Sequence, residues 1–375
     1  MSNKTYNQLL GENLRRIRES QDLTQNDVAK IINTSRDVII RIEKGSKNVT
    51  VEELFQLAKA YNKTVDELVN NVIRENINIK GIILAGGTGS RLFPVTEGTS
   101  KQLMCVYDKP MIYYPLSVLM QAGIKDILII TTTQDQQNFM KLLGDGSKFG
   151  INLIYEVQPK PEGLAQAFII GKEFIGDDPC AMVLGDNIFY GSGLEDELYQ
   201  AGLNAQRGSA TIFGYQVKDP ERFGIMELDD HNNVLSVEEK PSKPKSDYAI
   251  SGLYFYPTGV CEKVNSIKPS ERGELEITSL NDVYLKEKKL KARVLNEGYT
   301  WFDTGTFDSL LEASNMIKTI ETNRDSIICC PEKIAYENEW LTKEDIIEAG
   351  TTMKNNSYGQ YLLKLVKKDN KKIGR

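Results

Sequence analysis

The chain has 375 residues, a formal net charge of −6 and 40% hydrophobic residues. It is long enough to bury a sizeable core, too long for one typical small domain, and not globally basic, so any nucleic-acid binding needs a local patch. There is no apolar run of membrane-spanning length and no signal-peptide core at the N-terminus. Cys105, Cys180, Cys261, Cys329 and Cys330 show no C-x-x-C spacing, which predicts reduced, mostly buried thiols in a cytoplasmic protein without membrane contact. The single histidine, His231, sits in a polar Asp-Asp-His-Asn-Asn turn and reads as surface, so chemistry must run without histidine.

Residues 1–70 predict a small all-α domain. Leu14, Ile17, Val28, Ile31, Ile32, Ile39, Ile42, Leu54, Leu57 and Ala58 fall at helical spacing. Thr24 before Gln25-Asn-Asp27 and Ser35 before Arg36-Asp37 are N-cap signals. Two short helices around Asn33-Thr34 make a helix-turn-helix. With Leu23-Thr-Gln-Asn-Asp-Val-Ala29, Thr34-Ser-Arg36 and Ile42-Glu-Lys-Gly45, the segment resembles the phage-repressor (Cro-type) DNA-binding family. The resemblance implies a second helix in the major groove, with Gln25, Ser35, Arg36, Asp37 and Arg41 as candidate DNA contacts and Lys44 near phosphate. Acids and bases nearly balance here, and a helical module for oligomerisation is the alternative. Residues 71–78 read as a short connector without Gly or Pro, and 367–375 as a basic tail.

Residues 79–366 predict an α/β domain. A short apolar run from Ile79 predicts a buried parallel strand that ends in Gly86, Gly87 and Gly89, with Arg91 two residues on. Such glycines let backbone N–H groups approach an anion, and Arg91 and then Lys101-Gln102 add cations and an amide. No Lys closes the loop as a P-loop requires, and Leu92 stands where a dinucleotide fingerprint needs its third glycine. A helix follows over Met111–Ala122, then strands over Asp126–Thr131 and Ile151–Val157. Alternating strands and helices place ligands at the strands' carboxyl ends. Gln158, a turn residue if taken alone, precedes Glu162-Gly163, where Gly163 opens a helix in an arrangement suited to reading a base edge.

An apolar strand over Ala181–Asn187 ends in Gly185-Asp186. An acid there is a Mg²⁺ candidate or the cap of the next helix. A strand-rich insertion covers Ala210–Val217, Gly224–Leu228, Val234–Glu239 and Ala249–Tyr256. Lys240 could hold a sugar phosphate and Glu239 sugar hydroxyls, unless both are simply an exposed strand end. Arg272–Thr278 opens a long helix, and Trp301-Phe-Asp-Thr-Gly-Thr306 supplies a second acid, Asp303.

In order and spacing, from Lys80 to about Leu365, these motifs closely resemble glucose-1-phosphate thymidylyltransferases, members of the sugar nucleotidyltransferase family. The resemblance implies a Rossmann-like mixed sheet. Leu84, Gly86, Gly87, Gly89, Ser90, Arg91, Lys101 and Gln102 would hold the nucleoside triphosphate, and Gln158 and Gly163 would read thymine. Asp186 and Asp303 would bind Mg²⁺. Phe223, Gly224, Glu239, Lys240, Ile250, Arg272, Glu274 and Trp301 would line the sugar-phosphate pocket. Arg91, Lys101, Asp186, Lys240 and Asp303 would carry catalysis. The implied reaction joins dTTP and α-D-glucose 1-phosphate to give dTDP-glucose and pyrophosphate, in a homotetramer with a dTDP-sugar as candidate effector.

Ser90 replaces a common Thr, Glu162 a common Asp, Cys105 a common Pro, and Phe223 a common Tyr; the last change removes a hydroxyl from the sugar pocket. Two alternatives stay open: a transcription regulator whose enzyme-like domain senses sugar nucleotides, and the same reaction with another base or sugar. Retention of Arg91, Lys101, Asp186, Lys240 and Asp303 argues against the sensor, which would be free to lose the metal acids.

Overall fold

The computed structural model describes residues 5–19, 21, 23–65, 68–69, 77–87, 89–324 and 326–373, with side chains as far as Lys367. The connector expected over 71–78 lies outside them apart from its last two residues, and so do the side chains of the basic tail after Lys367. The chain divides into two compact units, residues 1–76 with 364–375, and residues 77–363.

The N-terminal unit contains α1 (Tyr6–Glu19), α2 (Gln25–Ile31), α3 (Arg36–Glu43) and α4 (Val51–Ala60). The expected caps form: Thr24 and Asp27 make a reciprocal capping box, and Ser35 accepts from the Val38 N–H. Asn33, at φ +54°, turns the chain between α2 and α3, a left-handed conformation that Asn adopts more readily than most residues. Leu10, Leu14, Val28, Ile39, Ile42, Leu57 and Tyr61 form the core. Ile31 does not join it: at the end of α2 it is exposed, and Ile32 turns inward instead.

One ion pair is enclosed in this small core. Arg18 Nε meets Glu43 Oε1 at 2.6 Å, Nη2 meets Oε2 at 3.1 Å, and both residues are buried. Arg18 Nη1 donates to the Leu23 carbonyl and Gln25 Nε2 to Glu43 Oε2. The pair therefore ties α1, the entry to α2, and α3 together.

The larger unit is built on a nine-stranded mixed sheet. Its path runs β10 (Val234–Glu239), β9 (Gly224–Leu228), β11 (Tyr248–Tyr256), β6 (Cys180–Leu184), β1 (Lys80–Leu84), β4 (Asp126–Thr131), β5 (Asn152–Val157), with β8 (Ala210–Gln216) on β11 and β12 (Leu290–Leu295) on β8. β6, β1, β4 and β5 are parallel, β11 runs against β6, and β2 (Cys105–Val106) and β3 (Lys109–Pro110) form a separate antiparallel pair. Ile82 and Ile83, neighbours on β1, enter separate apolar clusters on opposite faces of the sheet. Both faces are thus covered, which is why β1 is apolar at nearly every position.

Three local expectations change. The apolar strand ends at Leu184; Gly185-Asp186 is a turn, and Asn187 begins a separate strand, β7 (Asn187–Gly191), paired with β13 (Tyr299–Asp303). The helix expected from Arg272 starts at Ile277 and ends at Lys286, because Gly273, at φ +76°, breaks any helical path before it. The helix expected at Gly163 starts at Gln166. Four cysteines are buried and Cys105 is exposed, His231 is exposed, and no described helix is long and apolar enough to cross a membrane.

Removing one partner of the enclosed ion pair leaves a buried uncompensated charge. Arg18→Ala is expected to destabilise the N-terminal unit by about 3–5 kcal/mol. Calorimetry of the full chain should show a low-temperature transition split from that of the larger unit; a superimposable trace would refute the assignment.

Candidate active site

The parallel strands β1, β4 and β5 and the β6–β7 turn end on one side of the sheet, and the candidate residues gather there. β1 ends at Leu84, whose carbonyl accepts from the Gly185 N–H at 2.9 Å. This bond brings the glycine loop beside the turn that carries Asp186. Gly87 and Gly89 adopt positive φ, and Ser90-Arg91-Leu92 forms one short 3₁₀ turn. Arg91 reaches the strand end of β13: a Cβ on Gly305 would lie 2.5 Å from Arg91 Nη2. Only a residue without a side chain lets that guanidinium lie there.

Asp186 is 9% exposed and pairs with the Lys101 ammonium. Its second oxygen accepts from Asn187 Nδ2 at 3.0 Å. Burial pushes the Asp186 carboxyl up, but Lys101 and the hydrogen bonds outweigh burial and hold it below the ordinary range. Asp303 lies across the β7–β13 ladder from Asn187. Burial and then the Asp186 charge push the Asp303 carboxyl up, against the pull of Lys101, Arg91 and Arg222. Thr304 locks the two segments, its N–H and hydroxyl both donating to the Asp186 carbonyl, at 3.1 and 2.6 Å. Two acids are thereby forced close enough to repel, and a bound cation would relieve that repulsion. Among the described residues no cluster of three or more His, Cys, Asp or Glu exists. A pair of carboxylates suits a hard divalent cation that completes its shell with phosphate and water.

Asn187, expected only as a strand residue, joins two parts of the site. Its Oδ1 accepts from the Trp301 indole N–H at 2.6 Å and from the Gly252 N–H at 3.2 Å, while Nδ2 donates to Asp186. Trp301 in turn meets the Phe223 ring edge-on at 5.4 Å. Gly224, Glu239 and Ile250 adjoin, since a Cβ on Gly224 would lie 3.2 Å from Glu239 Oε2 and 3.8 Å from Ile250 Cδ1. Thr278, also missed, donates to Glu239 Oε2 at 2.5 Å. Arg272 contacts Glu239, Glu274 and Glu276, most closely Glu276 at 2.7 Å. Lys240 is exposed and holds φ at +43°, with its N–H on the Phe223 carbonyl. A non-glycine residue kept in that region is a local strain of the kind that clusters at binding sites.

Gln158 and Gly163 approach from the other end. Gln158 is buried beside Gly86, where a Cβ would stand 2.4 Å from Gln158 Oε1. A Cβ on Gly163 would collide with the Leu275 backbone at 2.4 Å. The Leu275 N–H donates to the Glu162 carbonyl at 2.7 Å, and its own carbonyl accepts from the Ala165 N–H at 3.1 Å. Residues 162–165 are thus stitched to the segment that carries Arg272 and Glu274. Gln102 is the least accessible of the loop candidates, 1% exposed, with Oε1 accepting from Ser100.

The DNA-contact candidates belong to the N-terminal unit. Ser35, Arg36, Asp37, Arg41 and Lys44 are exposed, whereas Gln25 is half-buried and donates to Glu43. The signals for Asn187 and Thr278 were present only as neighbours of Asp186 and of the Arg272 segment; neither polarity nor spacing distinguished them.

A nucleotidyl transferase family model matches residues 80–320, and a helix-turn-helix model matches 14–68. A glucose-1-phosphate thymidylyltransferase of Neisseria meningitidis is 56% identical over 290 residues, covering 77% of this chain and 100% of that protein. One from Mycobacterium tuberculosis is 48% identical over 291 residues, covering 78% and 100%. A solved Bacillus anthracis chain, described as a glucose-1-phosphate thymidylyltransferase in complex with a sucrose, is similar with a TM-score of 0.59 and 40% identity, covering 64% of this chain and 95% of that one. Downstream of a helix-turn-helix segment, the chain therefore belongs to the nucleotidyl transferase family.

Proposed function

We propose that the larger unit transfers a thymidylyl group from dTTP to α-D-glucose 1-phosphate, releasing pyrophosphate. The observation that carries this is the meeting of Arg91, Lys101, Asp186 and Asp303 at the strand ends, with the Trp301–Glu239–Lys240 pocket tied to them through Asn187. The 48–56% identity to thymidylyltransferases over the same region supports the base and sugar.

The sugar phosphate is the nucleophile, and its second pKa of about 6 makes it largely dianionic at neutral pH. No general base is needed, in keeping with a single exposed histidine. The obstacle is repulsion between the dianion and the triphosphate. Lys240, exposed at the pocket rim, attracts the sugar phosphate, and Arg91 in its glycine-lined seat neutralises the phosphoryl group under attack. Asp186 and Asp303 would hold a divalent cation, on our reading Mg²⁺ with its preference for one or two carboxylates plus substrate phosphates, and it would supply further charge neutralisation to the phosphates. Glu239, steadied by Thr278, accepts from sugar hydroxyls, and Gln158 reads the base. Phe223 closes the pocket through its ring rather than a hydroxyl. The cysteines form no disulfide, which supports a cytoplasmic enzyme.

We assign DNA binding to the helix-turn-helix segment, supported by the five exposed candidates on and around α3. A homotetramer, implied by the sequence resemblance, would present these segments in symmetric pairs.

Purified protein with dTTP, glucose 1-phosphate and Mg²⁺ should release pyrophosphate; no release would reject the enzyme in favour of a sugar-nucleotide sensor. Asp186→Asn and Asp303→Asn should each lower turnover by about a hundredfold or more with the fold intact by circular dichroism. Near-normal turnover in both would remove the metal assignment.

Arg91→Ala is expected to lower kcat, because its contact changes as charge reorganises during transfer. Lys240→Ala should instead raise KM for glucose 1-phosphate by about tenfold, the worth of a lost charge-assisted contact. An unchanged KM would contradict the role given to Lys240.

Selection from random DNA should enrich a pseudo-palindrome with half-sites about one helical turn apart, and Arg36→Ala should abolish the enrichment. No enriched motif would leave oligomerisation as the segment's role. If a dTDP-sugar shifts the affinity for that site, DNA must shift the sugar nucleotide's affinity by the same factor.

A further inference from the structure

Gln166 belongs to no set read from the sequence, yet it sets the orientation of Gln158. Its side-chain oxygen accepts from the Glu162 backbone N–H at 3.2 Å, and its Nε2 donates to Glu162 Oε2 at 2.8 Å. A backbone N–H can only donate and a carboxylate can only accept, so both contacts demand the same orientation of the Gln166 amide. The same oxygen faces Gln158 at 2.7 Å. Gln158 must therefore present its NH₂ to Gln166, since the flipped amide would oppose two oxygens. Its carbonyl is left on the Gly86 side. Backbone anchors keep the relay in place: the Gln158 N–H is held by the Thr131 carbonyl, and residues 162–165 are stitched to Leu275.

We propose that the Glu162–Gln166 pair is a polarity lock that fixes Gln158 as a hydrogen-bond acceptor, so that among pyrimidine nucleotides the site takes those with a protonated ring N3, thymine and uracil, and refuses cytosine. The proposal rests on the reading of Gln158 as the base contact. An acceptor aimed at N3 meets the N–H of thymine or uracil but the lone pair of cytosine. A site whose buried polar group is left unpaired by the wrong ligand discriminates far more strongly than one that only measures shape. Gln166 and Glu162 act through Gln158 and are positioning residues. Any replacement at Gln166 that offers no acceptor frees the Gln158 amide to flip and to offer its NH₂ to cytosine.

The test is the ratio of kcat/KM for dTTP to that for dCTP, measured on the full chain with glucose 1-phosphate. The wild type is expected to favour dTTP by about a hundredfold or more. Gln166→Leu should lower the ratio by about tenfold or more, chiefly by improving dCTP. The double exchange Glu162→Gln with Gln166→Glu restores an acceptor towards Gln158 and a donor at residue 162, and should bring the ratio back; a merely structural role would not be rescued this way. Gln158→Leu separates the two levels. If Gln158→Leu leaves the ratio unchanged, the base contact is wrong and the lock falls with it. If Gln158→Leu collapses the ratio while Gln166→Leu does not, the base contact stands and the lock is overturned. A double exchange as unselective as Gln166→Leu also overturns the lock.

Discussion

The charge on Asp186 is the constraint around which the site is arranged. A carboxylate this deeply buried is costly unless it is paired and hydrogen-bonded. Lys101 supplies the opposite charge and Asn187 the hydrogen bond. Each partner then fixes something further. Lys101 comes from the segment that follows the glycine loop, so the ion pair folds that loop back over the end of β1. Asn187 can donate to Asp186 only because its oxygen is occupied by Trp301 and Gly252. The placement of Trp301 and the orientation of Asp186 are therefore parts of one hydrogen-bonded unit. The second acid, Asp303, is set beside the first by the β7–β13 ladder and by Thr304, and the resulting repulsion is retained in the fold.

The Gln158 end of the site follows the same logic with side-chain amides. A glutamine amide can be inserted either way, and only its neighbours give it a direction. Glu162 and Gln166 supply that direction, and Leu275 ties their segment to the one bearing Arg272 and Glu274. Gly163 is required here, because a Cβ would strike the Leu275 backbone and its φ of +108° is one that L side chains rarely adopt, whereas a Cβ on Gly86 would press on the Gln158 amide. Loop and pocket thus meet through backbone contacts, and displacement of one would be felt by the other.

Much of this was legible in the residues. The glycines at 86, 87 and 89 announced a tight turn after β1, the N-caps of α2 and α3 announced the helix-turn-helix, and Asp186 and Asp303 stood out as acids at strand ends. What the sequence concealed were partners whose importance is relational. Asn187 and Thr278 are ordinary polar residues until a carboxylate from another element is placed against them. The end of the strand at Gly185-Asp186 was legible, but the second strand that begins at Asn187 was not, because only its pairing with β13 defines it. The early helix start at Arg272 failed for a local reason, the positive φ of Gly273, which composition alone does not impose. Ile31 misled by periodicity, since the last turn of a short helix need not face the core.

The N-terminal unit solves a different problem with the same device. It is too small for a large apolar core, and it encloses Arg18 and Glu43 at the junction of three helices. Apolar contacts can slide, whereas a two-pronged guanidinium–carboxylate contact has one geometry. Gln25 is drawn into that contact through Glu43, so the entry of α2 is held relative to α3 by hydrogen bonds as well as packing. The cost is that Gln25 is less available to a partner than its position suggests. The exposed residues Ser35, Arg36 and Asp37 stand instead at the start of α3, a helix whose placement the buried pair has already fixed.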